Sequence, residues 1–215
     1  MGSHCPEGRN VFRSQQRYFR NGEEGMTVAR NIPNLEIVNG LDVGGLESLI
    51  NRAKADPTAA ITKWQVTSSW EGQAHIHAKV DSFSMGGKSS KRGFSIDIDE
   101  PPELLGADDH ANPQDHLLAA LNACMMIDYV AQCSIRRIKL ESLEIETRGE
   151  IDLRGFLGVD PAVRAGYENI DYIVRVKGDG TPEQFAEVHE AVMATSPNFY
   201  NLTKPVTLRP KLIVE

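Results

Sequence analysis

The sequence predicts an α+β protein in which antiparallel sheets pack around a central buried helix. Strand-like segments come in separate blocks before and after a long apolar helix, and a second helix follows the later block. Blocks of this kind are typical of the α+β class, whereas parallel α/β folds alternate one strand with one helix. We expect residues 41–215 to form a single domain and residues 1–40 to form a polar N-terminal arm.

The segment before the central helix predicts one short helix and three strands. Apolar residues at helical spacing indicate an amphipathic helix over Leu46–Ala55, which Asp56-Pro57 ends. Strand-like runs follow at Ile61–Trp70, Gln73–Phe83 and Gly93–Ile98, and the sequence GGKSSKRG before the last of them predicts a turn. The expected arrangement is an antiparallel meander.

The central helix has the clearest start signal in the chain. Asn112 can cap it, Pro113 suits the first helical position, where no amide hydrogen is needed, and Asp115 stands at the third position of a capping box. From Leu117 to Cys133 only three polar residues interrupt the apolar sequence. Because such a helix is apolar almost all the way round, we expect it to be buried on all sides.

Four further elements are predicted after the central helix. Alternating apolar and polar residues indicate half-buried strands over Leu143–Leu153 and Tyr167–Val176. A second helix begins at the capping residue Thr181 and ends at Ser196-Pro197. A last strand is predicted over Val206–Val214.

Composition and charge exclude several classes of function. The chain has 215 residues, 40% of them hydrophobic and 25% charged, and 23 Lys and Arg oppose 30 Asp and Glu for a net charge of -7. An acidic chain without a basic stripe argues against nucleic-acid partners. No apolar run reaches the ~18 residues that span a bilayer without polar breaks, and no secretory leader is evident. We therefore expect a cytoplasmic protein without membrane partners.

The three cysteines, Cys5, Cys124 and Cys133, do not predict a disulfide framework, because their number is odd and the chain is large. On one straight helix Cys124 and Cys133 are about 13.5 Å apart along the axis and on opposite faces, so they cannot bridge. We predict that Cys133 is a small core residue, which is common for free cysteines.

From about Trp64 onward, roughly two thirds of the chain resembles the family of osmotically induced and organic hydroperoxide resistance proteins (OsmC/Ohr). The resemblance rests on four segments that occur in the same order: GFSIDIDEPPELLGADD, LLAALNAC, RGEIDLRGFLGVD and SPNFYNLTKPVTL. It implies an OsmC-like fold and an intertwined homodimer with its sites at the interface. The chain is most similar to the long OsmC-like branch.

The resemblance also implies a role for Cys124, which matches the peroxidatic cysteine on the helix of that family. The resolving cysteine of the family stands in a Cys-Pro dipeptide near the C-terminus, and Ser196-Pro197 occupies that position here. The two-cysteine reaction of the family is therefore not implied. Because the flanking helix and PVTL segment are retained in order, we expect Ser196 to lie beside Cys124.

Activation of Cys124 needs a nearby cation or hydrogen-bond donor, because a thiol attacks peroxide only as the thiolate. Cys124 lies about three turns into its helix, beyond the terminal dipole, and Asp128 one turn further on would disfavour negative charge on the sulfur. The family uses an arginine with a glutamate, and the nearest matches here are Arg92 and Asp115. Asp115 is too far from Cys124 on a straight helix to touch it, so it could act only through an intervening arginine. The predicted catalytic residues are thus Cys124, Arg92 and Asp115.

No metal or cofactor is predicted. His75 and His77 point to one face of a strand, a spacing that can hold a metal, but no third ligand is in view and a partly solvated strand face is the simpler interpretation. The chain has no phosphate loop, dinucleotide fingerprint, GxSxG or CxxC motif.

Two functions from different classes fit these observations. In the first, Cys124 reduces an organic or hydrogen peroxide and an external thiol then reduces the sulfenic acid. In the second, the protein is a non-catalytic OsmC-like stress protein in which Cys124 packs in the core and an apolar groove holds a small molecule. The predicted partners are a second copy of the chain and a small-molecule peroxide or apolar ligand.

Overall fold

Strands and helices occur in separate blocks along residues 35–215, the part of the chain that the computed structural model describes as one unit. Most of the predicted N-terminal arm, including Cys5, lies outside the described residues. The α-helices are α1 Val43–Ala55, α2 Pro113–Ile135, α3 Leu153–Phe156, α4 Pro182–Thr195 and α5 Pro197–Thr203. The strands are β1 Ile37–Val38, β2 Leu41–Asp42, β3 Thr62–Trp64, β4 Thr67–Gly72, β5 His75–Met85, β6 Lys88–Ile98, β7 Leu140–Gly149 and β8 Ile170–Gly178. The α+β class, the antiparallel sheets and the long central helix are confirmed.

The largest sheet has four strands with β5 inside it. β5 pairs with β3 and β4 along one edge and with β6 along the other, and every pairing is antiparallel. The predicted strand Ile61–Trp70 is two strands, because the chain leaves the ladder at residues 65–66 and pairs again with another part of β5. The meander is otherwise as predicted.

The turn between β5 and β6 is shorter than the sequence predicts. Only Gly86 and Gly87 form it, with φ angles of 55° and 77°, as a two-residue hairpin turn requires. Lys88–Arg92 continue as strand, so the eight-residue turn was a wrong prediction. A polar and basic sequence is compatible with a strand here because β6 lies at the edge of the sheet.

The start of α2 is confirmed in detail. The Asn112 side chain accepts a hydrogen bond from the Asp115 amide at 2.8 Å, and the Asp115 carboxylate accepts one from the Asn112 amide at 3.0 Å. Pro113 occupies the first helical position. This reciprocal pair satisfies two amide groups that a helix start otherwise leaves without partners.

One face of α2 forms the core. Leu121, Met125, Tyr129 and Cys133, each one turn after the last, are buried against β7 and α4 with Val188 and Val192 of the latter. The opposite face is open, and Ile127 is 71% exposed. Burial on all sides is therefore a wrong prediction for the single chain, which covers only one face. By length and composition α2 is also apolar enough to cross a membrane, a test that core helices of soluble proteins also pass.

The second half of the chain differs from the prediction in its strand bounds and near its C-terminus. β8 begins at Ile170 instead of Tyr167 and ends at Gly178 instead of Val176. β7 ends at Gly149, where a Cβ atom would meet the Tyr167 ring, instead of continuing to residue 153. The predicted strand Val206–Val214 is irregular and exposed, and α5, a helix that was not predicted, lies before it. The alternating pattern of that segment requires a strand partner, and within the described residues no strand pairs with it.

A small hairpin, β1–β2, joins the domain through Asn39, which was not predicted. Asn39 has a φ of 51°, a conformation that asparagine tolerates better than most residues, and it forms the turn with Gly40. Its Nδ2 atom donates to the Ile138 carbonyl at 2.9 Å and its Oδ1 atom accepts from the Leu140 amide at 2.8 Å. These bonds attach the hairpin to the residues between α2 and β7.

We predict that Asn39→Ala lowers the free energy of unfolding by about 2 kcal/mol, because it leaves two backbone groups without partners. Asn51→Ala is the matched control, because Asn51 is exposed on α1 and alanine favours the helix. Urea unfolding of both variants and the wild type measures the difference. Equal midpoints for Asn39→Ala and Asn51→Ala would show that the hairpin contributes nothing to stability.

Candidate functional site

The candidate site is centred on Cys124, which is partly exposed in the middle of α2. Ser196 lies beside it, and its hydroxyl donates a hydrogen bond to the Cys124 sulfur at an Oγ–Sγ distance of 3.4 Å. Ser196 is fully buried. The expectation that the Ser-Pro dipeptide lies next to the helix cysteine is therefore met.

The junction between α4 and α5 brings Ser196 to this place. Ser196 is the C-cap residue of α4, and its amide donates to the Val192 carbonyl at 2.9 Å. Pro197 then begins α5. The Asn198 side chain then donates to the Ala120 carbonyl at 2.8 Å, one turn before Cys124. Both helices are thus held against the same part of α2.

Cys133 has the core position that the sequence predicts. Its side chain is buried among the apolar residues on the inner face of α2. Burial raises the pKa of the Cys133 thiol, which disfavours the reactive thiolate. Of the two cysteines among residues 35–215, only Cys124 has access to solvent.

The structure places the other two predicted catalytic residues in different surroundings from Cys124. The Asp115 carboxylate accepts a hydrogen bond from the Asn112 amide in the capping box at the start of α2. The Arg92 guanidinium lies over three aromatic rings of the large sheet, with its carbon 5.0 Å from the ring centre of Phe94 and 5.8 Å from that of Trp64. Among the described contacts, neither residue forms a hydrogen bond or ion pair with Cys124.

An apolar cavity of about 470 Å³ lies beside the α5 helix. Leu121 and Phe199 both line it, and these residues are three positions from Cys124 and Ser196 respectively. Four polar residues, Gln114, Glu168, Asn169 and Thr203, also line it. The remaining lining includes Leu117, Ile151, Tyr167, Ile170, Tyr172 and Leu202. An apolar cavity with a few polar groups is typical of a small-molecule site.

The histidine pair on β5 forms local polar contacts. His77 Nδ1 is 2.6 Å from Asp97 Oδ1, and the His75 ring stacks on His110 with the centroids 5.4 Å apart. The hydrogen bond from His77 holds the pKa of Asp97 below its usual range. Within the described chain, no group of three histidine, cysteine or carboxylate side chains is arranged to hold a metal ion.

Sequence reasoning missed a row of polar side chains that runs along α2 from the site. Asp128 follows Cys124 by one turn and accepts a hydrogen bond from Thr195 Oγ1 at 2.6 Å. Gln132, one further turn along, donates to the other carboxylate oxygen at 3.2 Å, and Arg136 donates to Gln132 at 2.6 Å. The four-residue spacing from Cys124 was a visible signal, but the partner Thr195 is 67 residues away in sequence.

Comparison with known proteins agrees with this architecture. Residues 106–211 match the sequence model of a family described as OsmC-like protein. No curated protein matches the chain. Among solved structures, an OsmC-like protein from Mycoplasma pneumoniae is 16% identical with a TM-score of 0.52, and the match covers 66% of this chain and 89% of that one.

A second solved structure is an organic hydroperoxide resistance protein from Elizabethkingia anophelis. It is 19% identical with a TM-score of 0.45, and the match covers 66% of this chain and 89% of that one. At such identities structural similarity bears on the fold and not on the activity. The fold, the Cys124 helix and the sequence match over residues 106–211 together show that this chain belongs to the OsmC-like family.

Proposed function

We propose that this protein is a thiol peroxidase that uses one cysteine, Cys124, to reduce an organic or hydrogen peroxide. The observation that carries the proposal is that Cys124 is a partly exposed residue whose sulfur accepts a hydrogen bond from the hydroxyl of the buried Ser196. A hydrogen-bond donor at the sulfur stabilises the thiolate, which is the form that attacks peroxide. The resemblance of the Cys124 helix to that of the organic hydroperoxide resistance proteins supports this chemistry.

The reaction has two stages. The thiolate attacks one peroxide oxygen, so that an S–O bond forms, the O–O bond breaks and the leaving alkoxide or hydroxide takes a proton. This oxidises Cys124 to the sulfenic acid. An external thiol then displaces water to give a mixed disulfide, and a second thiol releases reduced Cys124 together with the oxidised reductant.

We propose an external reductant because, among residues 35–215, no second thiol is placed to react with Cys124. Ser196 has a hydroxyl where a resolving cysteine would stand, and a hydroxyl cannot form a disulfide. Cys133 is buried nine residues further along the same helix. A supply of reduced thiols is a property of the cytoplasm, so we place the reaction there.

The apolar cavity beside α5 supports an organic peroxide as substrate. Its lining by Leu121 and Phe199 puts apolar surface within a few residues of both Cys124 and Ser196. The same cavity also favours a second candidate function, the non-catalytic binding of an apolar small molecule. The two functions differ in whether Cys124 is chemically required.

We also propose that the chain is a homodimer. Its apolar surfaces support this, because large side chains stay exposed on α2 and on the four-stranded sheet, including Ile127, Trp64, Trp70 and Phe94. The C-terminal segment 206–214 has the alternating pattern of a strand and lacks a partner among the described strands. Exposed apolar patches and unpaired strand-like segments are typical of surfaces that a second chain covers.

A dimer offers Arg92 a route to the site. Within one chain Arg92 stacks on Phe94 and Trp64, so it is placed on a surface that we propose a second copy covers. We propose that Arg92 of one chain serves Cys124 of the other, with Asp115 acting only through that arginine. The guanidinium would add positive charge that favours the thiolate.

We predict that peroxide converts Cys124, and not Cys133, to sulfenic acid, and that Cys124→Ser abolishes peroxide consumption while Cys133→Ser retains it. The physical reason is that only Cys124 is accessible to solvent. Mass spectrometry after trapping with dimedone measures the modification. Equal labelling of both cysteines, or an unmodified Cys124 in a protein that still binds an apolar fluorescent probe, would favour the binding function.

We predict that Ser196→Cys forms a peroxide-dependent disulfide with Cys124, because the Ser196 Oγ atom is already 3.4 Å from the sulfur. Thr203→Cys, at the far end of α5, is the matched control and should not form the bond. Non-reducing peptide maps of both variants measure the crosslink. A Ser196→Cys variant that gives sulfenic acid but no disulfide would show that the two side chains are separated in solution.

We predict that the purified chain is a dimer at micromolar concentration and buries more than about 2,000 Å² of surface, as obligate interfaces do. Light scattering coupled to size-exclusion chromatography measures the mass. Ile127→Asp should shift the mass toward that of a single chain, because it puts a charge on the exposed face of α2. A wild-type protein with the mass of one chain would contradict the assembly.

A further inference from the structure

We propose that Asp128 is a positioning residue that holds the Ser196 hydroxyl on the Cys124 sulfur by way of Thr195. This inference rests on the proposed function, because it assigns the activation of the same cysteine. Ser196 touches the reacting sulfur and is therefore the catalytic donor. Asp128 is not bonded to the sulfur and acts through Thr195 at the end of α4.

The Ser196 hydroxyl is bonded to the Cys124 sulfur and not to the start of α5. Ser196 is the residue before α5, a position from which serine commonly accepts a hydrogen bond from the first turn of the helix. Its side chain makes no such bond and donates to Cys124 instead. Because the hydroxyl is buried, its geometry depends on where the α4–α5 junction is held.

The polar row on α2 supplies that restraint. Arg136 donates to the Gln132 side-chain oxygen at 2.6 Å, which directs the Gln132 amide nitrogen toward Asp128 Oδ1 at 3.2 Å. The second carboxylate oxygen, Oδ2, lies 2.6 Å from Thr195 Oγ1. The carboxylate is thus oriented from one side along α2 and binds α4 with its other oxygen.

Thr195 is the last residue of α4 and is followed directly by Ser196. Its hydroxyl also lies 2.7 Å from the Ala191 carbonyl, so Asp128 competes with the helix backbone for the single hydroxyl hydrogen. A hydrogen bond to the charged carboxylate is the stronger of the two. Asp128 therefore ties the residue before Ser196 to the turn of α2 after Cys124.

Asp128 has two opposed effects on Cys124. The proposal can therefore be tested by whether removal of the carboxylate raises or lowers the reaction rate of Cys124. As a negative charge one turn from the sulfur, it disfavours the thiolate. As the restraint on Thr195 and Ser196, it favours the thiolate through the hydroxyl donor. If the effect of the charge is larger, removal of the carboxylate speeds the reaction of Cys124. If the positioning effect is larger, removal slows that reaction.

The experiment compares variants by the second-order rate of Cys124 alkylation with iodoacetamide and of its oxidation by cumene hydroperoxide. The assay uses the Cys133→Ser protein, in which Cys124 is the one remaining thiol among residues 35–215. Mass spectrometry follows the peptide that contains Cys124. We expect Ser196→Ala and Asp128→Ala each to lower both rates about tenfold, the loss that one charge-assisted hydrogen bond implies. Thr195→Val, which retains the carboxylate, should lower them by a similar factor.

Thr58→Val is the matched control. The Thr58 hydroxyl donates to the Asp56 carboxylate at 2.7 Å, the kind of bond that Thr195 makes to Asp128, but it lies between α1 and β3 and contacts neither Cys124 nor the apolar cavity. The alkylation rate of Thr58→Val should equal that of the parent protein. A decrease for both threonine variants would mean that loss of any hydroxyl bonded to a carboxylate slows the reaction of Cys124, which would overturn the proposal.

The double variant Asp128→Ala/Ser196→Ala separates positioning from a general structural effect. If Asp128 acts through Ser196, its replacement has no slowing effect once Ser196 is alanine, and the loss of charge should leave the rate equal or slightly higher. The same factor in both backgrounds, or a faster Asp128→Ala single variant, would overturn the proposal. Urea midpoints identify an unfolded variant, and Thr195→Val then carries the test with one hydroxyl replaced.

The outcomes keep the two hypotheses apart. If the parent protein does not react with the peroxide but its alkylation rate still falls in Asp128→Ala and Thr195→Val, the peroxidase function fails and the positioning role stands. If the parent protein consumes peroxide and the variants match its rates, the peroxidase function stands and the positioning role fails.

Discussion

The structure depends on the packing of one face of α2. Leu121, Met125, Tyr129 and Cys133 are buried in a line along that helix against β7 and α4. Fully burying side chains of this size stabilises a fold by ~1.5–3 kcal/mol each, before the conformational entropy of ordering them is subtracted. Because the same helix also contacts α1 and α5, its orientation determines where the other elements lie.

The same packing determines the geometry of the site. Burial of the Cys133 face turns Cys124 away from the centre of the core, since the two residues are nine positions apart on one helix. Val188 and Val192 attach α4 to the core, and the end of that helix then places Ser196 on the Cys124 sulfur. The candidate site is thus formed at the border between the buried face of α2 and its open face. A sulfur at such a border can be accessible and still have an ordered hydrogen-bond donor.

The open face of α2 and the four-stranded sheet have a common feature. Both expose apolar residues such as Ile127 and Trp64 that a stable soluble fold usually covers. Arg92 also lies on this exposed part of the sheet, where it stacks on aromatic rings. The proposed homodimer would account for the exposed residues and for the position of Arg92 with one arrangement. It would also give the strand-like C-terminal segment an edge with which to pair.

Capping residues in the sequence were reliable markers of where helices begin, because their side chains bond to backbone groups only a few residues away. The cap formed by Asn112 and Asp115 marked the start of α2, and the equivalent pair of Thr181 and Gln184 marked the start of α4. The boundaries of the early strands were less accurate, because a strand ends where its partner ends and not where its own pattern ends. The strand over Val206–Val214 was wrong for the same reason, since alternation describes a side-chain pattern and does not supply a neighbour.

By itself the sequence determined the α+β class, the central helix and the cysteine at its middle, because caps and apolar periodicity act over a few residues. The order of its motifs also identified the family. Only the tertiary structure decided that one face of α2 remains open, that Ser196 donates to Cys124, and that Asp128 holds Thr195. These contacts join residues 67 and 72 positions apart. No local pattern specifies contacts between residues so far apart in sequence, because these contacts result from the packing of α4 and α5 on α2.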